Sequence, residues 1–334
     1  MLTKLTNRLL DRKYKWCVTG VAGFIGSNIA EILIESGQQV NGIDNLSTGN
    51  KDNIETFLNK ENFNFIEGDI TELDLCYEAI NKCDFVLHQA ALGSIPRSID
   101  DPLRTNAANI DGFLNMLVAA KDSNVRRFIY AGSSSTYGDH QSLPKKEDII
   151  GKPLSPYSIT KYVNELYAET FNRHYGIDTI GLRYFNVFGR RQRKDGAYAA
   201  VIPTWIMALL RKEQVKIFGD GDTSRDFCYI DNVIQANLLA AFTDNEKAFN
   251  QVFNVAVSDE TSLNELFELI SMSIKRLDAS IEISPPIYQD FRAGDMRHSR
   301  ADITKAKELL NYNPSHKIAE GIDETVSWYI DKIK

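Results

Sequence analysis

A chain of 334 residues can bury a large core, and the length points to one large domain or two. With 43% hydrophobic and 25% charged residues the composition is that of an ordinary soluble globular protein, and a net charge of −7 offers no basic field to a polyanion, which argues against nucleic acid as a partner. No run approaches the roughly 18 apolar residues that cross a bilayer, so no membrane partner is expected.

The N-terminal residues interrupt their leucines with charge and lack the apolar stretch of a secretion signal. Leu2, Leu5 and Leu9 stand at helical spacing and predict a short amphipathic helix packed on the body. Trp16 to Thr19 reads as a first strand and Phe24 to Ser36 as a helix ended by Gly37. Val40 to Asp44, Phe63 to Ile66 and Asp84 to Leu87 read as further strands. A helical stretch from about 105 to 122 precedes a strand at Arg127 to Tyr130, a long helix from Tyr157 to Tyr175 and a strand at Thr179 to Tyr184. Such alternation implies a doubly wound parallel sheet covered on both faces by helices. Past Gly189 the rhythm changes. Arg190 to Gly196 is a polar loop, Ala200 to Leu210 an apolar helix, and strand-like pieces at Val215–Phe218, Phe227–Ile230 and Val252–Val257 alternate with helices near 232–241 and 263–274. The expected organisation is a Rossmann-type domain over 1–187 and a smaller mixed α/β substrate lobe over 188–334, interleaved with the first. Cys17, Cys76, Cys83 and Cys228 form no CxxC pair and have no histidine at ligand spacing. They read as free thiols of a reducing cytoplasm, and no metal is expected.

Four motifs carry the chemistry. Gly20, Gly23 and Gly26 lie between the first strand and the first helix, where the main chain must turn sharply and approach a pyrophosphate closely. The helix N-terminus then presents unpaired N–H groups to the phosphates. Asp44, 18 residues beyond Gly26 at the end of the second strand, can accept both adenosine ribose hydroxyls and repels a 2′-phosphate, which favours NAD over NADP. Asp69 follows the third strand, where an adenine amine is in reach. His88 reads as a packed core histidine, and Gln89-Ala90-Ala91 leaves room for a ring. Tyr157 and Lys161 share a helix face at i and i+4. A phenol titrates near pH 10, and a lysine ammonium with an oxidised nicotinamide would lower that value into the range of a base. Ser133 and Ser134 follow a strand end, facing a cleft, where a hydroxyl can relay a proton. No GxSxG elbow supports a nucleophilic serine.

Longer strings add a resemblance. Gly93-Ser94-Ile95-Pro96-Arg97-Ser98, Ser133-Ser134-Ser135-Thr136-Tyr137-Gly138, Arg183-Tyr184-Phe185-Asn186-Val187-Phe188-Gly189 and Arg297-His298-Ser299 are similar to the extended short-chain dehydrogenase/reductase family. Within it they resemble the bacterial UDP-N-acetylhexosamine 4-epimerases, a group that includes the uronic acid forms. The resemblance runs from about residue 15 to the C-terminus. It implies Tyr157 as acid/base, Lys161 as its modulator and a ribose ligand, and Ser133 with Ser134 as the relay at O4. It adds Phe24, Ile25, Asn45, Gly49, Ile70, Gln89 and Val187 to the NAD site. Asn186, Arg225 and Arg292 would hold the diphosphate and Asp295 the uridine ribose. Gly93, Ser94, Ala200, Val201 and Ser299 would line the sugar pocket. Relatives restricted to non-acetylated sugars resemble one another in carrying a tyrosine where this chain has Ser299, so the serine implies room for a 2-acetamido group. Ala108 stands where many relatives carry a polar residue beside the cofactor. The implied activity is reversible C4 epimerisation of UDP-GlcNAc and UDP-GalNAc through a 4-keto intermediate, supplying cell-surface polysaccharide. The alternatives are the UDP-N-acetylhexosaminuronic acid reaction and, more remotely, a non-catalytic NAD-binding protein. The resemblance further implies a homodimer joined through the helices near 105–122 and 157–175.

Overall fold

Strands that are apolar without alternation are buried on both faces, and the first half of the chain forms such strands. The computed structural model describes residues 8–193, 200–291 and 296–333. In chain order β1 (Lys15–Thr19), β2 (Gln39–Asp44), β3 (Phe63–Glu67), β4 (Phe85–His88), β5 (Arg127–Ser133), β6 (Thr179–Tyr184) and β7 (Gln251–Val255) make one sheet. Their spatial order is β7-β6-β5-β4-β1-β2-β3, and every neighbouring pair is parallel. Successive side chains alternate between faces. Trp16 and Val18 therefore enter one core with α1 (Phe24–Glu35), while Cys17 enters another with α2 (Leu73–Ile80), α3 (Gly112–Asp122) and α4 (Pro156–Tyr175). Helix α5 (Ile230–Phe242) packs with α1 on the first face through Val233 and Ile234. This is the expected doubly wound α/β architecture. The winding reverses between β1 and β4, which opens a crevice beyond their carboxyl ends.

Several elements differ from the sequence reading for local reasons. The helix expected over 105–122 starts earlier at Pro102, and a wider π turn at Ala107–Asp111 precedes α3. Asn109, inside that turn, accepts from Leu92 N–H at 2.8 Å and so ties the bulge to the loop after β4. The stretch Phe227–Ile230 splits: Cys228–Tyr229 pairs in parallel with Val187–Phe188, and Ile230 already belongs to α5. Strand β7, assigned from sequence to the second lobe, is the seventh strand of the main sheet and pairs with β6. Its isolation in the sequence hides a partner more than 65 residues away. Helices Ile95–Asp100, Thr304–Leu310 and Ile318–Ile333 were absent from the sequence reading. Leu9 is fully buried, whereas Leu2 and Leu5 lie outside the described residues. All four cysteines are unpaired and buried. Among the described residues no helix is long and apolar enough to cross a membrane.

Candidate active site

The turn after β1 is fixed by the smallness of its glycines. Gly20 has φ +64, and a Cβ on it would stand 2.8 Å from Ala90 N. Its N–H donates to Ile43 O at 2.8 Å, and its carbonyl accepts from Gly23 N–H at 3.0 Å. A Cβ on Gly26 would lie 2.2 Å from that same Gly20 oxygen. The turn therefore folds back on itself so tightly that only hydrogen fits. Gly23 caps α1 without any side-chain hydrogen bond, which leaves the helix end open to an anion. Phe24 and Ile25 in the first turn are half-buried against the core.

Beyond the turn lies an open cleft. Gly20 and Gly23 form its floor. Asp44, Asn45, Asp69 and Ile70 line one flank, and Gln89 to Leu92 with Ala108 line the other. The Asp44 carboxylate accepts from Ala22 N–H at 2.9 Å and Leu46 N–H at 2.8 Å. Burial pushes its value up while these bonds oppose the shift. Gly49 packs on it, since a Cβ there would stand 2.9 Å from Oδ1. Partial burial also works against the charge on Asp69. Hydrogen bonds from Thr71 and from Asn45 Nδ2, the latter at 2.6 Å, outweigh it and hold the carboxyl below its ordinary value. At the switch point Thr19 Oγ1 accepts from the N–H groups of Gln89 and Ala90 at 3.1 and 3.0 Å. Its proton then goes to His88 Nδ1 at 3.0 Å. That imidazole, enclosed by Phe113 and Phe128, is held neutral, its value pushed down to about 3 by burial and then by Lys161. His88 is a core residue. The Gln89 amide is likewise engaged, donating to Asn237 Oδ1 at 3.1 Å and accepting from Tyr184 OH at 3.1 Å.

The catalytic candidates come from β5 and α4. Ser155 caps α4 by accepting Ser158 N–H at 3.1 Å, and Pro156 occupies the first helical turn, where its missing N–H costs nothing. This places Tyr157 at the helix start, half-buried. Ser133, the last residue of β5, accepts from Ser135 N–H at 3.2 Å and Ser135 Oγ at 2.9 Å, and its hydroxyl neighbours the Tyr157 phenol. Ser134 opens the short turn that follows. Burial raises the Tyr157 phenol above its ordinary value, and the neighbouring Ser133 hydroxyl opposes that rise. The protein side therefore does not by itself deliver the lowered phenol that the i, i+4 spacing suggests. Lys161 is 2% exposed and donates from Nζ to Ala131 O at 2.9 Å, at the end of β5. Burial pulls it down to about 8, with Glu165 opposing.

One turn further, Glu165 meets Arg183 of β6 in a buried bidentate pair, with both N–O distances 2.8 Å. Sequence reading missed this pair, although Tyr157, Lys161 and Glu165 share the helix face at steps of four.

The remaining residues gather beside the sheet's carboxyl edge. Asn186 has φ +33, donates from Nδ2 to Asp226 O at 3.3 Å and leads into Val187. Arg225 lies in the strand Ser224–Arg225, which pairs in parallel with His298–Ser299 and antiparallel with Thr261–Ser262. The register sets Ser299 directly beside Arg225. Arg225 Nη1 donates to Ser224 O at 2.8 Å and Arg297 O at 3.3 Å. Gly93 is exposed with open space about it, and Ser94 caps the helix Ile95–Asp100. Ala200 and Val201 start the helix Val201–Leu210. Arg292 and Asp295 lie outside the described residues.

A glycine cradle, an open helix N-terminus and two acids across one cleft fit a dinucleotide. The chain belongs to the NAD dependent epimerase/dehydratase family, whose model matches residues 16–256, and its cofactor is NAD. It is similar to a putative UDP-glucose 4-epimerase of Methanocaldococcus jannaschii, at 38% identity over 93% of this chain and 97% of the relative. Among solved structures it is similar to the UDP-N-acetylglucosamine 4-epimerase of Methanobrevibacter ruminantium, determined with UDP-N-acetylmuramic acid. That match has 40% identity and a TM-score of 0.88, covering 96% of this chain and 99% of the other. The UDP-glucose 4-epimerase of Thermotoga maritima, determined with UDP-glucose, shares 36% identity at a TM-score of 0.87, covering 97% and 100%.

Proposed function

We propose that this NAD-dependent UDP-sugar 4-epimerase inverts C4 of UDP-N-acetylhexosamines, interconverting UDP-GlcNAc and UDP-GalNAc. The observation that carries the choice of sugar is the register of Ser299 on Arg225, with the serine 9% exposed. A small side chain stands immediately beside the arginine assigned to the diphosphate, where a tyrosine would fill the volume an acetamido group needs. Resemblance to the Methanobrevibacter enzyme supports the same reading.

In this reading bound NAD supplies the acceptor for the C4 hydrogen and the positive charge that brings the phenol toward ionisation. Tyr157 takes the O4 proton, directly or through the neighbouring Ser133 hydroxyl, which lies beside the phenol. Lys161, held on Ala131 O behind the cleft, keeps its cation near the phenolate. Asn186 and Arg225 grip the diphosphate while the 4-keto sugar turns over, so the returning hydrogen reaches the opposite face. The segment 188–334 supplies Arg225 and Ser299, and Tyr157 and Ser133 come from the first part of the chain.

We also propose a homodimer formed through an apolar face. Ile99 and Leu103, 61% and 83% exposed, lie on the short helices that pack against α4, which itself exposes Ile159 and Leu166 one face-repeat apart. Four buried unpaired thiols suit the reducing cytoplasm as its location.

The test is turnover of UDP-GlcNAc, UDP-glucose and UDP-N-acetylglucosaminuronic acid by the wild type and by Ser299→Tyr. The expected result is fastest turnover of UDP-GlcNAc, lost selectively in the variant. Fastest turnover of UDP-glucose, or an unchanged preference in the variant, would sink the acetamido reading, and fastest turnover of the uronate would replace it with the acidic sugar.

A further inference from the structure

A carboxylate that is wholly buried without a cation costs stability, so its persistence at one place in a fold asks for a role. Asp226 is such a group. It is 0% exposed, and no ion pair to it is present among the described residues. Its oxygens are satisfied by backbone donors from two separate segments. Oδ1 accepts from Val257 N–H at 3.0 Å, just past the end of β7, and Oδ2 accepts from Ala301 N–H at 3.1 Å. Its own carbonyl accepts from Asn186 Nδ2 at 3.3 Å. One residue therefore ties together four stretches of chain.

Three of those stretches carry a residue assigned to the nucleotide sugar. Asn186 is bonded to Asp226 directly. Arg225 is its chain neighbour. Ser299 stands two residues before Ala301 and in register with Arg225. The fourth stretch, Val255 to Val257, ends the sheet and gives the cluster a rigid base. Every bond to the carboxylate comes from a main-chain N–H, so a charged acceptor strengthens each of them and shortens the tolerance on their positions. Burial opposes that charge, pushing the carboxyl up to about 7, with the Val257, Ala301 and Ser258 N–H groups pulling it back and Asp259 adding to the rise.

We propose that Asp226 is a positioning residue that sets affinity for the nucleoside diphosphate by fixing Asn186, Arg225 and Ser299 relative to one another, without touching the ligand. The inference rests on the reading that these three residues face the nucleotide sugar. An amide in place of the carboxylate keeps the shape and one acceptor, but turns an NH₂ group toward an N–H that needs an acceptor. The strand Ser224–Arg225 and the segment at Ala301 then drift apart, while β1, α1, β5 and α4, which hold the cofactor and Tyr157, are untouched.

The experiment measures UDP affinity by calorimetry, and KM and kcat for UDP-GlcNAc, in wild type, Asp226→Asn, Asp226→Ser and Arg225→Ala. For Asp226→Asn the expected result is a rise of about tenfold in both the UDP Kd and KM, which corresponds to about 1.4 kcal/mol. NAD content should stay full and kcat at saturation should fall less than about threefold. Unchanged UDP affinity in Asp226→Asn and Asp226→Ser overturns the inference, as does a loss confined to kcat. Failure of both variants to fold also overturns it, because Asp226 is then a stability element and nothing more. Arg225→Ala separates the two layers. If it leaves UDP binding intact, the assignment of the diphosphate site fails. If it abolishes UDP binding while the Asp226 variants bind normally, only the positioning role fails.

Discussion

Replacing Gly26 by alanine puts a methyl group where one hydrogen stood, and the structure says where it collides. The new Cβ would stand 2.2 Å from Gly20 O, 2.8 Å from Gly20 C and 3.0 Å from Val21 Cα. All three are backbone atoms, so no side-chain rotation relieves the contact. Ordinary carbon contacts begin near 3.5 Å, so the turn must retreat by about 1 Å. It has nowhere to go, because Gly20 donates to Ile43 O at 2.8 Å on one side and abuts Ala90 on the other. Overpacking of this kind costs about 1–3 kcal/mol of stability. The larger effect falls on the cofactor, because a misplacement of about 1 Å in a positioned group costs on the order of a hundredfold. The assay is NAD released on denaturing the purified protein, followed by turnover with NAD added back. Gly26→Ala is expected to purify nearly free of NAD and to need a large excess to recover activity. Gly93→Ala, with nothing within 4 Å of the added atom, should retain its NAD content. A Gly26→Ala protein with full NAD and normal turnover would refute the close approach of this turn to the pyrophosphate.

Glu165→Gln removes one partner of a pair whose side chains are 7% and 4% exposed, leaving the Arg183 guanidinium buried without its counter-charge. Urea unfolding should show a loss of about 3–5 kcal/mol, and a loss below about 1 kcal/mol would mean the site relaxes to admit water. Placing charge on the apolar face, Leu103→Asp with Leu166→Asp, is expected to convert a dimer to a monomer in sedimentation. A wild type that sediments as a monomer ends the dimer proposal. The raised carboxyl of Asp226 has a thermodynamic consequence as well. Between its ordinary value of 3.8 and its folded value of about 7 the folded state binds a proton that the unfolded state has released. The contribution is complete below about pH 4 and is lost as pH rises through about 7. Asp226→Asn should therefore gain on the wild type in unfolding free energy over that interval. A difference that stays flat from pH 4 to 7.5 would show that Asp226 does not titrate there. Asp259, Cys228 and Tyr312 lie near enough to act on it, but the two latter groups ionise only far above this range.

The parts of the site that were legible in the sequence are those whose chemistry is local. Gly20 to Gly26 is a turn with its strand before and its helix after, so spacing alone conveys the cradle. Tyr157 and Lys161 share one helix face, and Asp44 ends a strand whose apolar run is visible by eye. What stayed hidden depends on contacts between distant segments. Strand β7 reads like any short apolar piece until β6 is found beside it. The residues 95–106 look like a polar loop with two prolines, yet each proline starts a short helix capped by Ser94 or Asp101. Ser299 owes its place beside Arg225 to a two-residue strand that no periodicity could reveal. Asp226 is the extreme case, since an Arg-Asp dipeptide reads as an exposed ion pair while the fold points the two side chains to different tasks.

The same contrast bears on how the phenol is activated. Sequence spacing suggests that Lys161 lowers Tyr157 directly, but its ammonium is spent on Ala131 O and its own value is pulled down to about 8 by burial. Left to these groups, Tyr157 sits above its ordinary value and is a poor base at neutral pH. With Tyr157 as the proposed base, the site is quiet until a cationic cofactor ring and a sugar hydroxyl arrive together, because only then do added charge and a new hydrogen-bond donor favour the phenolate. In the proposed mechanism the protein's part is to keep Ser133 beside the phenol and Lys161 fixed on Ala131 O, so that the arriving charge acts on a group already in place.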